Sequence, residues 1–195
     1  LAPLPDGSYA KAYTSGVVMP QEYINVDAAG GIYSTPADMA AFVRMFLNDG
    51  MSDGGTRVLS KESVEKMAMD QTVGTFNPVP GKVLAYGLGW DSVAESGLGH
   101  AGVKGWTKNG GTFFYGAQIL VAPDEGLAAV ALGPAGGGYA PLAILQRVVM
   151  RALTETGRVA SFPKPLAPRA EPVAAAPPGL VESVAGVYAN YAHVF

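Results

Sequence analysis

The segment Lys108-Asn109-Gly110-Gly111-Thr112, followed directly by the apolar run from Phe113 to Ala122, decides the fold. The run has apolar residues on both faces, which is typical of a central strand that is covered on both sides. A cation and several small residues stand immediately before it. We therefore predict a positive charge and accessible backbone N–H groups at the rim of a sheet, where the anionic or carbonyl group of a ligand can be held.

Extended segments are also predicted on both sides of this stretch. Residues 123–126 (Pro-Asp-Glu-Gly) indicate a tight turn, since proline fixes one backbone dihedral and glycine adopts the left-handed one. The apolar residues 127–132 would then form a returning antiparallel strand. Apolar residues alternate with small or polar ones over 85–90, which predicts another strand, and residues 103–107 predict a further extended piece.

Helices are predicted around this sheet from their start and stop signals. Thr35 as N-cap followed by Pro36 begins the first helix, which residues 48–50 (Asn-Asp-Gly) end. A second helix begins at Ser60, and a third runs from Pro141 to about Gly157. The expected fold class is α+β, an antiparallel sheet flanked by helices.

The length of 195 residues fits about one domain. We assign residues 1–160 to that domain. Residues 161–179 are rich in proline and alanine, which favours an extended linker. Residues 180–195 form a strand-like tail, which would pack on the main body or open an appended β domain.

Composition excludes several functions. Only 15% of the residues are charged and the net charge is −3, so a nucleic acid partner is not expected. There is no cysteine, which excludes disulfides and thiol catalysis. The two histidines do not form a cluster with metal-ligand spacing, and no phosphate-binding loop is present, so we expect neither a metal nor another cofactor. No apolar run is long enough for a transmembrane segment.

Three segments together resemble the serine β-lactamase and penicillin-binding-protein superfamily, in the branch of the class C β-lactamases, DD-carboxypeptidases and esterases. They are residues 28–40 (Ala-Ala-Gly-Gly-Ile-Tyr-Ser-Thr-Pro-Ala-Asp-Met-Ala), residues 86–90 (Tyr-Gly-Leu-Gly-Trp) and residues 108–112, which are similar to the family's Lys-Thr-Gly box. The resemblance covers about residues 20–155. It implies a β-lactamase-like catalytic domain of which this chain is the C-terminal part, incomplete without an upstream segment.

The resemblance also implies a chemistry. The family transfers acyl groups through a covalent ester to the serine of a Ser-x-x-Lys motif, and its Lys-Thr-Gly strand donates one N–H to the oxyanion. On this pattern Lys108 and Gly111 are the catalytic residues: Lys108 attracts a substrate carboxylate, and the Gly111 N–H binds the carbonyl oxygen. The substrate-binding positions are Asn109, Gly110, Thr112 and Phe113.

The rest of the family's machinery is not expected in this chain. Residues 63–66 fit Ser-x-x-Lys, but they lie far downstream of the family's nucleophile. Residues 23–25 and 188–190 fit the family's Tyr-x-Asn turn, but neither lies between a nucleophile and the Lys108 segment. We therefore expect the nucleophile on a companion N-terminal polypeptide, upstream of Leu1, and no activity from this chain alone.

The resulting hypothesis is part of a serine hydrolase that cleaves an ester, amide or lactam bond of a small-molecule or peptide substrate. The alternative is a non-catalytic, hydrolase-like module that binds peptides or cell-wall fragments. The resemblance slightly favours a periplasmic or extracellular location over a cytoplasmic one, and the sequence does not choose among the possible bonds.

Overall fold

The fold is taken from a computed structural model of the chain, which describes residues 4–24, 29–75, 85–134, 140–161 and 179. The chain divides into two units, Leu1–Pro163 and Lys164–Phe195, and the helices and strands of the described residues all lie in the first. The predicted linker and tail lie almost entirely outside the described residues, so the three predicted domain boundaries stay predictions.

The described residues form short strands, one three-stranded sheet and four helices. In chain order the elements are β1 (Tyr13–Thr14), β2 (Val17–Val18), α1 (Pro36–Leu47), α2 (Lys61–Met67), α3 (Ser96–Gly99), β3 (Trp106–Gly111), β4 (Gly116–Ala122), a 3₁₀ turn (Pro123–Glu125), β5 (Leu127–Gly133) and α4 (Ala140–Glu155). The prediction of an α+β fold, with an antiparallel sheet flanked by helices, is confirmed.

The main sheet has the strand order β3-β4-β5, and both of its pairings are antiparallel. β4 lies in the middle and is covered on both faces, as its sequence predicts. Its residues Ile119 and Val121 pack into a cluster with α1, whereas Leu120 and Ala122 pack against α4. The strand begins at Gly116 rather than Phe113, because residues 112–115 form the turn from β3, closed by the Thr112 N–H donating to the Tyr115 carbonyl at 2.9 Å.

Helix α1 forms as its local signals predict. The Thr35 hydroxyl accepts the N–H of Asp38 at 3.2 Å, and proline occupies the first helical turn. Val43, Met45 and Phe46 are buried against the sheet. The helix therefore fixes one wall above the face of the sheet that carries Trp106, Lys108 and Gly110.

Helix α4 covers the opposite face of the sheet. Leu145, Val149, Met150 and Leu153 are buried there in a cluster with Leu120. The helix starts and stops close to the predicted positions, with Gly157 in the left-handed conformation just after its end. None of the helices among the described residues is both long and apolar enough to cross a membrane.

The prediction of a strand over residues 85–90 is wrong, because this segment forms a turn. The N–H of Gly87 donates to the Trp90 carbonyl at 3.1 Å, and Gly89 has a φ of +81°. The segment's apolar residues do not share one environment, since Ala85 and Trp90 are buried whereas Tyr86 and Leu88 are exposed. Trp90 packs against the rings of Phe46 and Trp106, at centroid distances of 5.0 and 5.6 Å.

The N-terminal residues contain the hairpin β1–β2, which the sequence analysis did not predict. Ser15 and Gly16 join the two strands with φ values of 50° and 79°. Two consecutive left-handed residues give the turn twist that hairpin strands require. A serine at the first position hides this signal, because asparagine or glycine is more usual there.

Candidate active-site cleft

The C-terminal end of β3 borders a cleft of about 880 Å³. Gly110, Gly111 and Thr112 form one side of it. The facing sides consist of residues 21–24, residues 29–34 and the first turns of α1. The structure thus brings together two of the three sequence motifs, residues 28–40 and 108–112, at one site, while residues 86–90 lie outside the cleft lining.

The backbone of Gly111 presents its N–H at the edge of the sheet. Thr107 exchanges backbone hydrogen bonds with Ser92, at 2.9 and 3.3 Å, so its polar backbone groups point away from β4. Along an antiparallel strand, the backbone N–H and C=O groups of successive residues point to opposite sides. The backbone groups of Asn109 and Gly111 therefore point to the same side as those of Thr107. The Asn109 N–H does so, since it donates to the Asp91 carboxylate at 2.7 Å. Gly111 therefore offers a directed donor beside the cleft.

A carboxylate holds the turn that follows Gly111. Glu22 accepts the Phe113 N–H at 2.8 Å and the Phe114 N–H at 3.3 Å, and it also accepts the hydroxyl of Thr112. The Thr112 hydroxyl in turn accepts the Tyr115 N–H at 3.1 Å. A charged acceptor that satisfies several backbone donors makes strong hydrogen bonds, so this contact fixes the end of β3 in place.

Two tyrosines line the cleft beside this carboxylate. The Tyr33 hydroxyl donates to the Glu22 carbonyl at 2.6 Å, and the Tyr115 hydroxyl donates to the Ala10 carbonyl at 2.8 Å. Burial raises the pKa of both phenols, and the negative charge on Glu22 raises it further. Both hydroxyls therefore stay protonated near neutral pH and serve as donors in this structure.

Lys108 lies next to the cleft but is not among the residues that line it. Its ammonium group binds both carboxylate oxygens of Asp91, at 3.0 and 3.2 Å, and donates to the Asn109 carbonyl at 2.6 Å. Its side chain is 41% exposed. Asp91 thus holds two donors of β3, the Lys108 ammonium and the Asn109 N–H.

The remaining predicted substrate-binding residues divide between two environments. Gly110 and Thr112 line the cleft, whereas Asn109 stands beside Lys108 and does not. Phe113 is 83% exposed and is not among the residues that line the cleft. Sequence reasoning missed Glu22 and Asp91, whose partners lie 90 and 17 residues away along the chain.

The other segments that fit the family's Ser-x-x-Lys and Tyr-x-Asn motifs lie in different surroundings. Ser63 lies on α2, outside the cleft lining, with its hydroxyl 3.0 Å from that of Ser60. Tyr23 does line the cleft, and its hydroxyl donates to Gln21 at 2.8 Å. Asn25 and residues 188–190 lie outside the described residues. In the part of the chain that is described, no three acidic, histidine or cysteine side chains are grouped to hold a metal ion.

The family of this chain follows from comparison with known proteins. The model of the Beta-lactamase family matches residues 1–133, well over half of the sequence. The chain therefore belongs to the β-lactamase and penicillin-binding-protein superfamily, as part of its domain, and the family is of the serine hydrolase type.

Individual relatives agree with this assignment. The chain is 32% identical to penicillin-binding protein 4 of Amycolatopsis lactamdurans over 146 residues, which cover 73% of this chain and 35% of that relative. It is 50% identical over 54 residues to Protein Rv1367c of Mycobacterium tuberculosis, covering 28% of this chain and 13% of that protein. The chain thus spans about a third or less of the relatives that it matches.

A solved structure supports the fold. The octameric penicillin-binding protein homologue from Pyrococcus abyssi superposes with a TM-score of 0.54, at 23% identity, over 74% of this chain and 30% of that chain. At this identity the likeness concerns the fold alone.

Proposed function

We propose that this chain supplies one wall of the acyl-transfer site of a serine hydrolase that cleaves an ester, amide or lactam bond through an acyl-enzyme. The observation that carries the proposal is the Gly111 N–H, which points away from β4 beside a cleft. The cleft has room for a small molecule or a short peptide segment.

The proposed reaction begins when a serine hydroxyl attacks the substrate carbonyl carbon and gives its proton to a neighbouring base. The carbonyl oxygen becomes an oxyanion, to which the Gly111 N–H donates. The bond to the leaving group then breaks, the leaving group takes up the proton, and water later releases the acyl group from the serine. Gly111 contributes a hydrogen-bond donor that is already in position. It therefore stabilises the oxyanion without any reorganisation during the reaction.

Neighbouring residues would orient this donor or the substrate. Glu22 holds the turn after Gly111, and Asp91 holds the Asn109 N–H before it, so the backbone is fixed on both sides of the donor. Lys108 would bind a substrate carboxylate only in competition with Asp91. Asn109, Gly110, Thr112 and Phe113 remain proposed substrate-binding residues on the resemblance alone.

The nucleophile would be carried by a companion polypeptide that also completes the sheet. β5 is a seven-residue apolar strand without charge or proline, Leu127–Gly133, and all its residues are half-buried. Its pairing with β4 leaves the other edge without a strand among the described residues. A strand of this length without a charge or a proline has none of the side chains that discourage pairing, which favours a further strand beside it.

The proposal is tested with a labelled penicillin and a fluorophosphonate probe. We expect no covalent labelling of the 195-residue chain, and labelling once the chain is joined to the polypeptide encoded before Leu1. Labelling of the chain alone that disappears in Ser63→Ala would overturn the placement of the nucleophile. Absence of labelling in the joined protein would favour the non-catalytic binding module.

A further inference from the structure

We infer that Glu22 is a positioning residue, whose carboxylate holds the Gly111 N–H at the place where it meets the oxyanion. This inference rests on the proposed function, because it concerns the donor of the same site. Three features of the molecule support it: two glycines at the end of β3, a turn that closes without Glu22, and a carboxylate that is itself held in place.

Two consecutive glycines, Gly110 and Gly111, form the end of β3. Glycine leaves the backbone more conformational freedom than any other residue, so the sequence itself does little to fix the direction of the Gly111 N–H. On one side, β3 pairs with β4. On the other side, the contacts of the described residues hold Thr107 and Asn109 but not Gly111. A donor that is to meet an oxyanion must be held to within about 0.5 Å, so this strand end needs a further contact.

The turn after β3 does not need Glu22 in order to close. The Thr112 N–H donates to the Tyr115 carbonyl at 2.9 Å, and the Thr112 hydroxyl accepts the Tyr115 N–H at 3.1 Å. The two N–H groups that Glu22 accepts belong to Phe113 and Phe114, and Phe113 is 83% exposed. Water can satisfy donors in an exposed turn. The carboxylate is therefore not required to close the turn, and its contribution is to fix the position of the turn.

Glu22 is itself held through both its backbone and its side chain. The Tyr33 hydroxyl donates to the Glu22 carbonyl at 2.6 Å, and the Tyr33 ring packs edge-on against that of Tyr115, at a centroid distance of 6.2 Å. The side chain accepts the Phe113 N–H at 2.8 Å and also the hydroxyl of Thr112. Hydrogen bonds to a charged carboxylate are stronger than those between neutral groups. The contact thus joins the end of β3 to a segment 90 residues earlier in the chain.

Glu22→Gln tests the inference in the chain joined to the polypeptide encoded before Leu1. A carboxamide has no charge, and its NH2 group would face one of the donors that the carboxylate accepts. We expect the rate of acylation by a labelled penicillin to fall by about tenfold or more, because a small misplacement of a catalytic group has a large effect on the rate. The oxyanion forms only during the reaction, so the dissociation constant of the noncovalent penicillin complex should change less than about twofold.

Asp70→Asn is the matched control. Asp70 also accepts a backbone N–H and a hydroxyl, both of Thr72, at 2.8 and 2.6 Å, and it is not among the residues that line the cleft. This variant should keep the acylation rate of the unchanged protein. A second comparison uses Gly111→Pro, which removes the N–H. Because Glu22 acts through that donor, Glu22→Gln should lower the rate much less in the Gly111→Pro protein than in the unchanged one.

An undiminished rate in folded Glu22→Gln, or an equal further loss in the Gly111→Pro protein, would overturn the inference. If circular dichroism shows that Glu22→Gln is unfolded, Glu22→Asp, which keeps the charge on a shorter side chain, should show the same pattern. Unfolding of both variants would assign Glu22 to folding and overturn the inference as well. Absence of labelling in the unchanged joined protein would reject the proposed function and this inference with it, so the two failures are distinguishable.

Discussion

Replacing Gly111 by proline is expected to lower the acyl-transfer rate of the chain joined to its nucleophile-bearing polypeptide by about 100- to 1,000-fold, the usual cost of losing one oxyanion donor. Proline removes the N–H that points away from β4. The sheet loses no hydrogen bond, and the extended residue before it is compatible with a following proline. The rate of acylation by a labelled penicillin measures the effect, with circular dichroism to confirm that the fold is kept.

Two control variants distinguish the loss of the N–H donor from the effect of a larger residue or of a disrupted sheet. Gly111→Ala keeps the N–H, and its Cβ would meet nothing closer than the Tyr115 carbonyl oxygen at 3.9 Å, so we expect a loss of less than tenfold. Gly110→Pro removes an N–H that is directed toward Ala117 in β4, and it should disrupt the sheet instead. A Gly111→Pro protein with an undiminished rate would show that this N–H is not the oxyanion donor.

The second large effect concerns β5, where proline at two adjacent positions should destabilise the fold to very different extents. Leu120 stands opposite Thr107, so its polar groups point toward Ala129 of β5. Ala129→Pro therefore breaks the pairing with β4 and should lower the free energy of unfolding by about 3 kcal/mol. Ala128 points its N–H to the unpaired edge, so Ala128→Pro should cost less than half as much.

The same pair tests whether the edge of β5 receives a partner strand. Ala128→Pro leaves the main sheet intact but removes a donor from its open edge, and it should weaken association with the nucleophile-bearing polypeptide. Denaturant unfolding measures the stability, and co-purification of the two polypeptides measures the association. Equal destabilisation by the two prolines would contradict the alternation on which the edge assignment depends.

The elements that the sequence predicted have their determinants within a few residues. Helix α1 has its cap, its first-turn proline and its buried face in one continuous stretch, and β4 is apolar on both faces because helices cover both. The prediction of a strand over residues 85–90 is wrong because a buried Trp90 beside glycines imitates the alternation of a strand. The turn there is set by packing against Phe46, 44 residues away along the chain, which no local pattern reports.

The candidate site could be predicted only in part, because several of its contacts join residues that are far apart along the chain. The sequence indicated that small residues after Lys108 lie at the rim of a sheet, and Gly110 and Gly111 border a cleft there. The direction of the Gly111 N–H depends on the pairing of Thr107 with Ser92, which the sequence does not reveal. The carboxylate of Glu22 reaches the end of β3 from a segment about 90 residues earlier, so its part emerged only from the structure.

The proposed function depends above all on the Gly111 N–H, which would bind the oxyanion of an acyl-transfer reaction. The most direct measurement is the crystal structure of the joined protein after reaction with the fluorophosphonate probe, whose phosphoryl oxygen imitates that oxyanion. The account predicts this oxygen at about 2.7–3.1 Å from the Gly111 nitrogen, with the phosphorus bonded to a serine outside residues 1–195. A phosphoryl oxygen bound elsewhere, with the Gly111 N–H directed to solvent, would contradict it.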